Sequence, residues 1–351
     1  MLTKILVFLL FITFPLGQVL RWEFLGGQVV LRPNDLIALI LGGLGLFKIS
    51  GPLKKPLLLW SGAMVLSLVV NIFNYTPTQL LVSASYIMRF ILYSGLYFVF
   101  KDIKLNKNIF VYICLVIAIL GFVQYLFIPD VSFLAQFDWD PHYYRLISTF
   151  LDPGFTGAIL VLGVILAKNK IIKSFLYLAM AFTYSRTSFL MFLVCYAVIA
   201  FYKKSAKIFV VACTVMILTL ILLPRTFGDG TKLFRETSTW ARIENWQTSL
   251  QIFSHSPLFG IGYDSYRYVT KASLSSHAGA GADSSILLVL ATTGIIGLLA
   301  YLNLLKTIWK LNTNFIFRAS FTGIIVASFF NNTLFYPFVM EWLWILLALP
   351  F

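Results

Sequence analysis

Apolar stretches separated by short polar segments run along the whole chain. Each is long enough, or nearly long enough, for a helix to cross the roughly 30 Å hydrocarbon core of a membrane. They cover residues 5–20, 34–47, 56–73, 80–100, 109–128, 153–167, 171–184, 187–202, 208–223, 284–303, 315–330 and 336–350. The pattern predicts an all-α polytopic membrane protein of about twelve transmembrane helices, with residues 1–351 forming a single integral membrane domain.

The composition agrees with a membrane protein. Hydrophobic residues make up 60% of the 351 residues and charged residues only 11%, whereas a soluble domain carries about 25% charged residues. All three cysteines, Cys114, Cys195 and Cys213, lie in apolar stretches. We therefore expect neither a disulfide framework nor a thiolate metal site.

The lysines indicate the orientation of the chain. When the N-terminus is placed in the cytoplasm, every second loop carries lysine, as the positive-inside rule requires, and the C-terminus is cytoplasmic as well. The inward lysines are Lys4, Lys48, Lys54, Lys55, Lys101, Lys104, Lys107, Lys168, Lys170, Lys173, Lys203, Lys204, Lys207, Lys306 and Lys310. The net charge of +14 follows from this topology and does not indicate nucleic-acid binding.

The arginines show the opposite distribution. Arg318 faces inward and Arg89 falls inside a predicted helix. The outward arginines are Arg21, Arg32, Arg145, Arg186, Arg225, Arg235, Arg242 and Arg267. Outward arginine runs against the positive-inside rule, and the planar guanidinium binds phosphate and carboxylate in a bidentate manner. We therefore predict an anionic ligand at the outer leaflet.

Two outward loops are long enough to be functional, residues 129–152 and 224–283. The second contains STWARIENWQTSLQIF, which predicts an interfacial amphipathic helix. Its apolar face would consist of Trp240, Ile243, Trp246, Leu250 and Phe253. Arg242 lies off that face and is free to point toward a site, while the tryptophans alone are explained by a surface-bound brace.

Three of these arginines, Arg145, Arg186 and Arg89, lie next to predicted helix boundaries or within predicted helices. Arg145 precedes Asp152 and Pro153, which read as the N-cap and first turn of a helix, and the alternative is a capped helix with a solvated arginine. Arg186, in YSRTSF, would rise only about 20 Å above the inner face, which favours a polar cavity over snorkelling. Arg89 would lie about 14 Å along its helix, with Glu341 or Asp35 as its structural partner.

The stretch HAGAGADSSILLVLATTGIIG, residues 277–297, places polar groups directly before an apolar helix. His277 and Asp283 are six residues apart. Such groups belong either to a surface turn or to a site, and Asp283 reads equally as a plain helix N-cap. Gly294 and Gly297 are expected to allow close helix packing. The sequence contains no metal-ligand spacing, Walker loop or serine elbow, so we expect no metal and no cofactor.

Together these stretches resemble the O-antigen polymerase and O-antigen ligase superfamily over most of the chain. The resemblance rests on the helix number, the Arg-x-x-x-Thr-Phe-x-x-Pro-x-x-x-Gly pattern at 145–157 and Ser185-Arg186-Thr187. It also rests on the large loop between the ninth and tenth predicted spans, with Arg242 and PLFGIG, and on the helix that ends Gly-Ile-Ile-Gly.

The resemblance implies a metal-independent glycosyltransferase of the C-type class in the bacterial inner membrane, with its active site facing outward. It would transfer a glycan from a polyprenyl (undecaprenyl) diphosphate to an acceptor sugar hydroxyl. Arg186, Arg145 and Arg242, together with Arg89, would bind the diphosphate. Lipid-linked oligosaccharide, membrane lipid, and a chain-length regulator or flippase are the partners it implies.

The catalytic base is where this sequence departs from the family. Ligases resembling it carry His-Asn eleven residues before the first glycine of Gly-x-x-Gly, and that position is Asp283-Ser284 here. Either Asp283 is the base or His277 folds back to replace it. The departure favours a surface-polysaccharide polymerase over a ligase acting on a lipid or protein acceptor.

Two other function classes remain alternatives. A transporter or flippase of lipid-linked sugar fits the number of helices, but it would more often show repeated halves and polar groups at the midplane. A non-catalytic assembly scaffold would tolerate replacement of the arginines, and the depth of Arg186 argues against it.

Overall fold

The computed structural model describes residues 2–137, 139–224, 228–232, 235–271 and 281–349, and helices dominate these ranges. The helices are α1 Leu2–Thr13, α2 Pro33–Leu46, α3 Lys54–Val70, α4 Pro77–Phe100, α5 Asn108–Phe127, α6 Pro153–Leu166, α7 Lys170–Ala181, α8 Arg186–Tyr202, α9 Ala206–Leu222, α10 Thr237–His255, α11 Tyr266–Val269, α12 Ser285–Leu311, α13 Phe315–Ala327 and α14 Pro337–Ala348. Two short strands, β1 Trp22–Phe24 and β2 Val29–Leu31, form an antiparallel hairpin.

A helix coincides with each of the predicted apolar stretches. Three of the described helices, α4, α5 and α12, are long and apolar enough to cross a membrane, judged by length and composition. Shorter apolar helices include α1, α2, α6, α8, α9, α13 and α14. The chain is therefore a helical membrane protein, and the crossing of the membrane by all twelve segments stays a prediction.

The helices differ in how far they are enclosed by the others. Side chains of α6 and α14 are buried along almost their whole length. In α9, by contrast, only Ala212 and Met216 are buried, and most of its remaining apolar side chains are exposed. Apolar side chains on an outer helix suit contact with lipid. Helices α6 and α14 thus form the centre of the bundle.

Small residues bring α2 and α4 into direct backbone contact. A Cβ atom added at Gly42 would meet the carbonyl of Leu92, and one added at Gly95 would meet the carbonyl of Gly42. Glycine at both positions permits this approach, as in other membrane helix pairs. Arg89 lies on α4 three residues before Leu92.

A buried ion cluster joins the start of α2 to α4. Asp35 lies 2.8 Å from Nη1 of Arg32 and 3.8 Å from Nη2 of Arg89. The hydroxyl of Tyr93 donates to Asp35, and Arg89 also donates to the carbonyl of Val30. Of the two partners expected for Arg89, the structure selects Asp35, which compensates both buried guanidinium groups.

Helix α12 is interrupted at Gly294, whose φ of 65° and ψ of −165° are not helical. The loop before α11 docks into this break, where the backbone N–H of Ile295 donates to Pro257 (2.9 Å) and that of Ile261 donates to Ala291 (3.1 Å). A Cβ atom at Gly294 would lie 2.7 Å from the amide nitrogen of Gly260. Gly294 therefore allows the close approach of a loop, whereas the sequence predicted the close approach of a neighbouring helix.

Helix α10 packs against α12. Ser249 and Ile252 are buried, and the ring of Trp246 lies 6.0 Å from that of Phe330. Trp240 is 61% exposed. None of the five residues of the predicted apolar face is fully buried, and Leu250 on that face is 49% exposed. Contact of α10 with the membrane surface stays a prediction.

We predict that Gly294→Ala destabilises the protein. Alanine would be forced into the left-handed region and against the backbone of residues 258–260, which costs about 1–3 kcal/mol for the backbone conformation alone. Thermal unfolding followed by tryptophan fluorescence in detergent should show a lower melting temperature. Gly62→Ala is the control, because Gly62 lies in α3 with no neighbouring atom in the way. Equal melting temperatures for both variants would contradict this account of the break.

Candidate functional site

Several helices begin at the wall of one large cavity of about 810 Å³. The N-terminal ends of α6, α8, α12 and α14 contribute lining residues, together with α4, α10 and the segments 139–145 and 262–267. The free amide groups and the positive dipole ends at helix N-termini favour an anion. The backbone therefore makes this cavity suited to a negatively charged ligand before any side chain is considered.

The cavity brings together the described residues that the sequence predicted for the site. Its walls include Arg89, Arg145, Arg186, Arg242 and Asp283. His277 lies outside the described residues. Residues from 89 to 283 thus meet on one surface, and the roles assigned to them stay predictions.

Arg145 is buried and held by the turn that precedes α8. Its Nε donates to the carbonyl of Thr183 at 3.0 Å, and the backbone N–H of Leu146 donates to Phe182 at 2.9 Å. The alternative of a solvated arginine is therefore wrong. Burial, followed by the charge of Arg235, lowers the pKa of Arg145 to about 9, so the guanidinium remains mostly cationic at neutral pH.

Arg186 is the first residue of α8 and connects that helix to α10. Its Nη2 donates to Ser238 Oγ at 2.6 Å and its Nη1 donates to Thr239 Oγ1 at 3.1 Å. Arg235 shares the same hydroxyl, with Nε 3.2 Å from Ser238 Oγ. The two guanidinium groups are thereby fixed side by side at the cavity wall.

Arg242 extends from α10 toward the end of α13. Its Nη2 donates to Asn331 Oδ1 at 3.3 Å. Nearby, Asp152 caps α6 as predicted, with its Oδ1 accepting from the amide of Phe155 at 2.8 Å. Arg242 and Asp152 thus both line the cavity, and polar contacts set the position of each.

Asp283 does not cap α12, in contrast to one expectation from the sequence. Ser284 is the N-cap and accepts from the amide of Leu287 at 3.4 Å. The backbone of Asp283 donates to Asn245 Oδ1 at 2.8 Å, and among the described residues nothing donates to its carboxylate. Burial raises the pKa of this carboxyl, with the charge of Arg242 opposing the rise. A carboxyl of raised pKa facing a cavity fits an acid–base role.

Asp264 and Arg267 line the same cavity but were not among the predicted site residues. The sequence placed Asp264 in a turn, and its left-handed backbone (φ 60°) agrees with a turn. Burial nevertheless raises the pKa of its carboxyl to about 7, against the charges of Arg267 and Arg89. No local motif reveals this burial, because helices distant in sequence produce it.

We predict that Asp264→Asn stabilises the protein at pH 8 and leaves it unchanged at pH 4. The pKa of this carboxyl rises from 3.8 to about 7 on folding, so the stability of the wild type falls as the pH increases from about 4 to 7. The amide removes this loss and tolerates the left-handed backbone. The melting temperature at pH 8 should rise by roughly 2–5 °C.

The charged groups that act on this carboxyl, Arg267 and Arg89, are the same in the wild type and in Asp264→Asn. The difference between the two melting curves therefore reports Asp264. A lower melting temperature for Asp264→Asn at pH 8 would mean that the carboxylate stabilises the fold, contrary to this prediction.

Residues 171–302 match the family model of O-antigen ligase. The matched segment runs from α7 into α12 and includes Arg186, Arg242, Asp264 and Asp283. No curated protein matches the chain. The resemblance drawn from the sequence is thereby confirmed over residues 171–302, which are similar to the O-antigen ligase family.

Proposed function

We propose that the protein is a membrane-embedded glycosyltransferase that transfers a glycan from a polyprenyl diphosphate to a sugar hydroxyl. The observation that carries the proposal is the meeting of arginine side chains and helix N-termini around one cavity of about 810 Å³. The leaving group of this reaction is a lipid diphosphate, and both features bind anions. The site would face the outer side of the bacterial inner membrane, with both termini in the cytoplasm.

The diphosphate would lie at the end of the cavity formed by Arg145, Arg186, Arg235 and Arg242. Negative charge grows on the leaving oxygen as the bond to the anomeric carbon breaks. Fixed guanidinium groups stabilise this charge more in the transition state than in the ground state. Their hydrogen bonds to Thr183, Ser238 and Asn331 hold them in place beforehand.

Asp283 would act as the general base. The acceptor hydroxyl gives its proton to the base while its oxygen forms a bond to the anomeric carbon, and the diphosphate departs with the electron pair. Asp283 suits this role because its carboxylate accepts no hydrogen bond from the described residues and lies near the charge of Arg242. His277 is the alternative base.

A surface-polysaccharide polymerase is the form of this activity that we favour over a ligase. The position of the His-Asn pair of the ligases is Asp283-Ser284 in this chain, so the ligase base is replaced. The acceptor would then be another lipid-linked glycan. Asp35 and Val30 hold the guanidinium of Arg89 in place. Arg89 would therefore stabilise the diphosphate through the electrostatic field of its charge in the cavity.

We expect Arg186→Ala to lower the transfer rate by about 10²–10³-fold, because one group that stabilises the leaving charge is lost. Purified protein would be incubated with lipid-linked oligosaccharide extracted from the source cells, and product chains would be resolved by gel electrophoresis. Arg318→Ala is the control, since Arg318 contacts Tyr202 and Trp309 away from the cavity. Activity should persist in EDTA.

In the same assay, Asp283→Asn should lower the rate by about 10²–10⁴-fold if Asp283 is the base. Loss of activity in His277→Ala with an active Asp283→Asn would assign the base to His277. Absence of product from the wild type, together with movement of lipid-linked sugar across liposome membranes, would contradict the glycosyltransferase and support a transporter.

A further inference from the structure

The loop that carries Asp264 is fixed by hydrogen bonds to helices far away in sequence. Asn71 Nδ2 donates to the carbonyl of Gly260 at 3.0 Å, and the hydroxyl of Tyr75 donates to the carbonyl of Ile261. The hydroxyl of Ser83 lies 3.3 Å from that of Ser265. The backbone on both sides of Asp264 is therefore held rigidly against α3 and α4.

None of the contacts that fix the loop uses the carboxylate of Asp264. Its Oδ2 is buried and, among the described residues, receives no hydrogen bond, while the residue as a whole remains partly exposed on the cavity wall. The backbone of Asp264 is in the left-handed region, which Asp and Asn adopt more readily than other non-glycine residues. A buried acceptor without a donor, on a rigid loop, is unexplained by folding.

The cavity has two ends of different chemistry. The charges of Arg267 and Arg89 act on the carboxyl of Asp264. The charges of Arg242, Asp140 and Asp152 act on the carboxyl of Asp283. Asp264 is accordingly separated from the end where the diphosphate is expected. The wall near it is aromatic and includes Tyr86, Phe90, Tyr263 and Phe335.

We propose that Asp264 binds hydroxyl groups of the acceptor sugar and determines acceptor specificity, an inference that rests on the glycosyltransferase function proposed above. A carboxylate repels phosphate but accepts hydrogen bonds from hydroxyl groups. An acceptor sugar would supply the donors that Oδ2 lacks, and its apolar faces would pack on the aromatic wall. A site built in this way rejects analogues without the hydroxyl, because the buried oxygen would be left unpaired.

The test separates the two ends of the cavity by using two probes that bind without turnover. The first is the oligosaccharide repeat released from its lipid carrier by mild acid, and the second is undecaprenyl diphosphate alone. Binding of each to full-length protein in detergent would be measured by isothermal titration calorimetry. The variants are Asp264→Ala, Asp264→Asn, Arg186→Ala and, as a control on the exposed surface, Asp130→Asn.

Asp264→Ala should weaken oligosaccharide binding by about 10- to 100-fold, the loss expected for hydrogen bonds to a charged group. Asp264→Asn should weaken it less, since the amide oxygen still accepts a hydrogen bond, and its conserved shape guards against misfolding. Undecaprenyl diphosphate should bind both Asp264 variants within about twofold of the wild type but bind Arg186→Ala weakly.

Unchanged oligosaccharide binding in both Asp264 variants would overturn the proposal. An equal loss of both probes in Asp264→Asn would also overturn it, because the residue would then serve the whole cavity. If the wild type binds the oligosaccharide through Asp264 but makes no product in the transfer assay, the sugar site stands and the proposed reaction fails.

Discussion

Burying a guanidinium group in an apolar helical bundle is unfavourable unless polar partners surround it, and this constraint organises the protein. Arg145 is buried against the carbonyl of Thr183, and Arg186 reaches two hydroxyl groups of α10. Each contact ties a loop or helix end to the cavity wall. The fold and the site therefore depend on the same interactions, since the groups that hold the arginines also position α8 and α10.

The ion cluster around Asp35 shows the same constraint deeper in the bundle. A single carboxylate lies between Arg32 and Arg89 and also accepts from Tyr93. Removal of Asp35 would leave the guanidinium groups of Arg32 and Arg89 buried without their shared counter-charge, which costs more than the intact cluster contributes. Arg89 consequently has a structural partner even though it lines the cavity.

The sequence predicts well those features that depend on local pattern. Apolar length located the helices, and three of the arginines that the sequence singled out, Arg145, Arg186 and Arg242, line one cavity. It does not predict features that depend on contacts between residues far apart in the sequence. The burial of Asp264 arises from contacts such as Asn71 with Gly260. Helix α12 starts at Ser285 rather than one residue earlier. The sequence Asp283-Ser284-Ser285 does not show which of these residues caps the helix.

This one-residue difference at α12 has a chemical consequence. The carboxylate of an N-cap aspartate would accept a hydrogen bond from the first turn of the helix. Here the Ser284 hydroxyl accepts that hydrogen bond, and Asp283 lines the cavity. Burial favours the protonated acid, and Arg242 favours the carboxylate. A ligand that draws Arg242 toward its own negative charge would weaken this second influence and raise the proton affinity of Asp283. Binding of a diphosphate would thereby strengthen the base beside it, which couples occupation of the anionic end to activation of the acceptor hydroxyl.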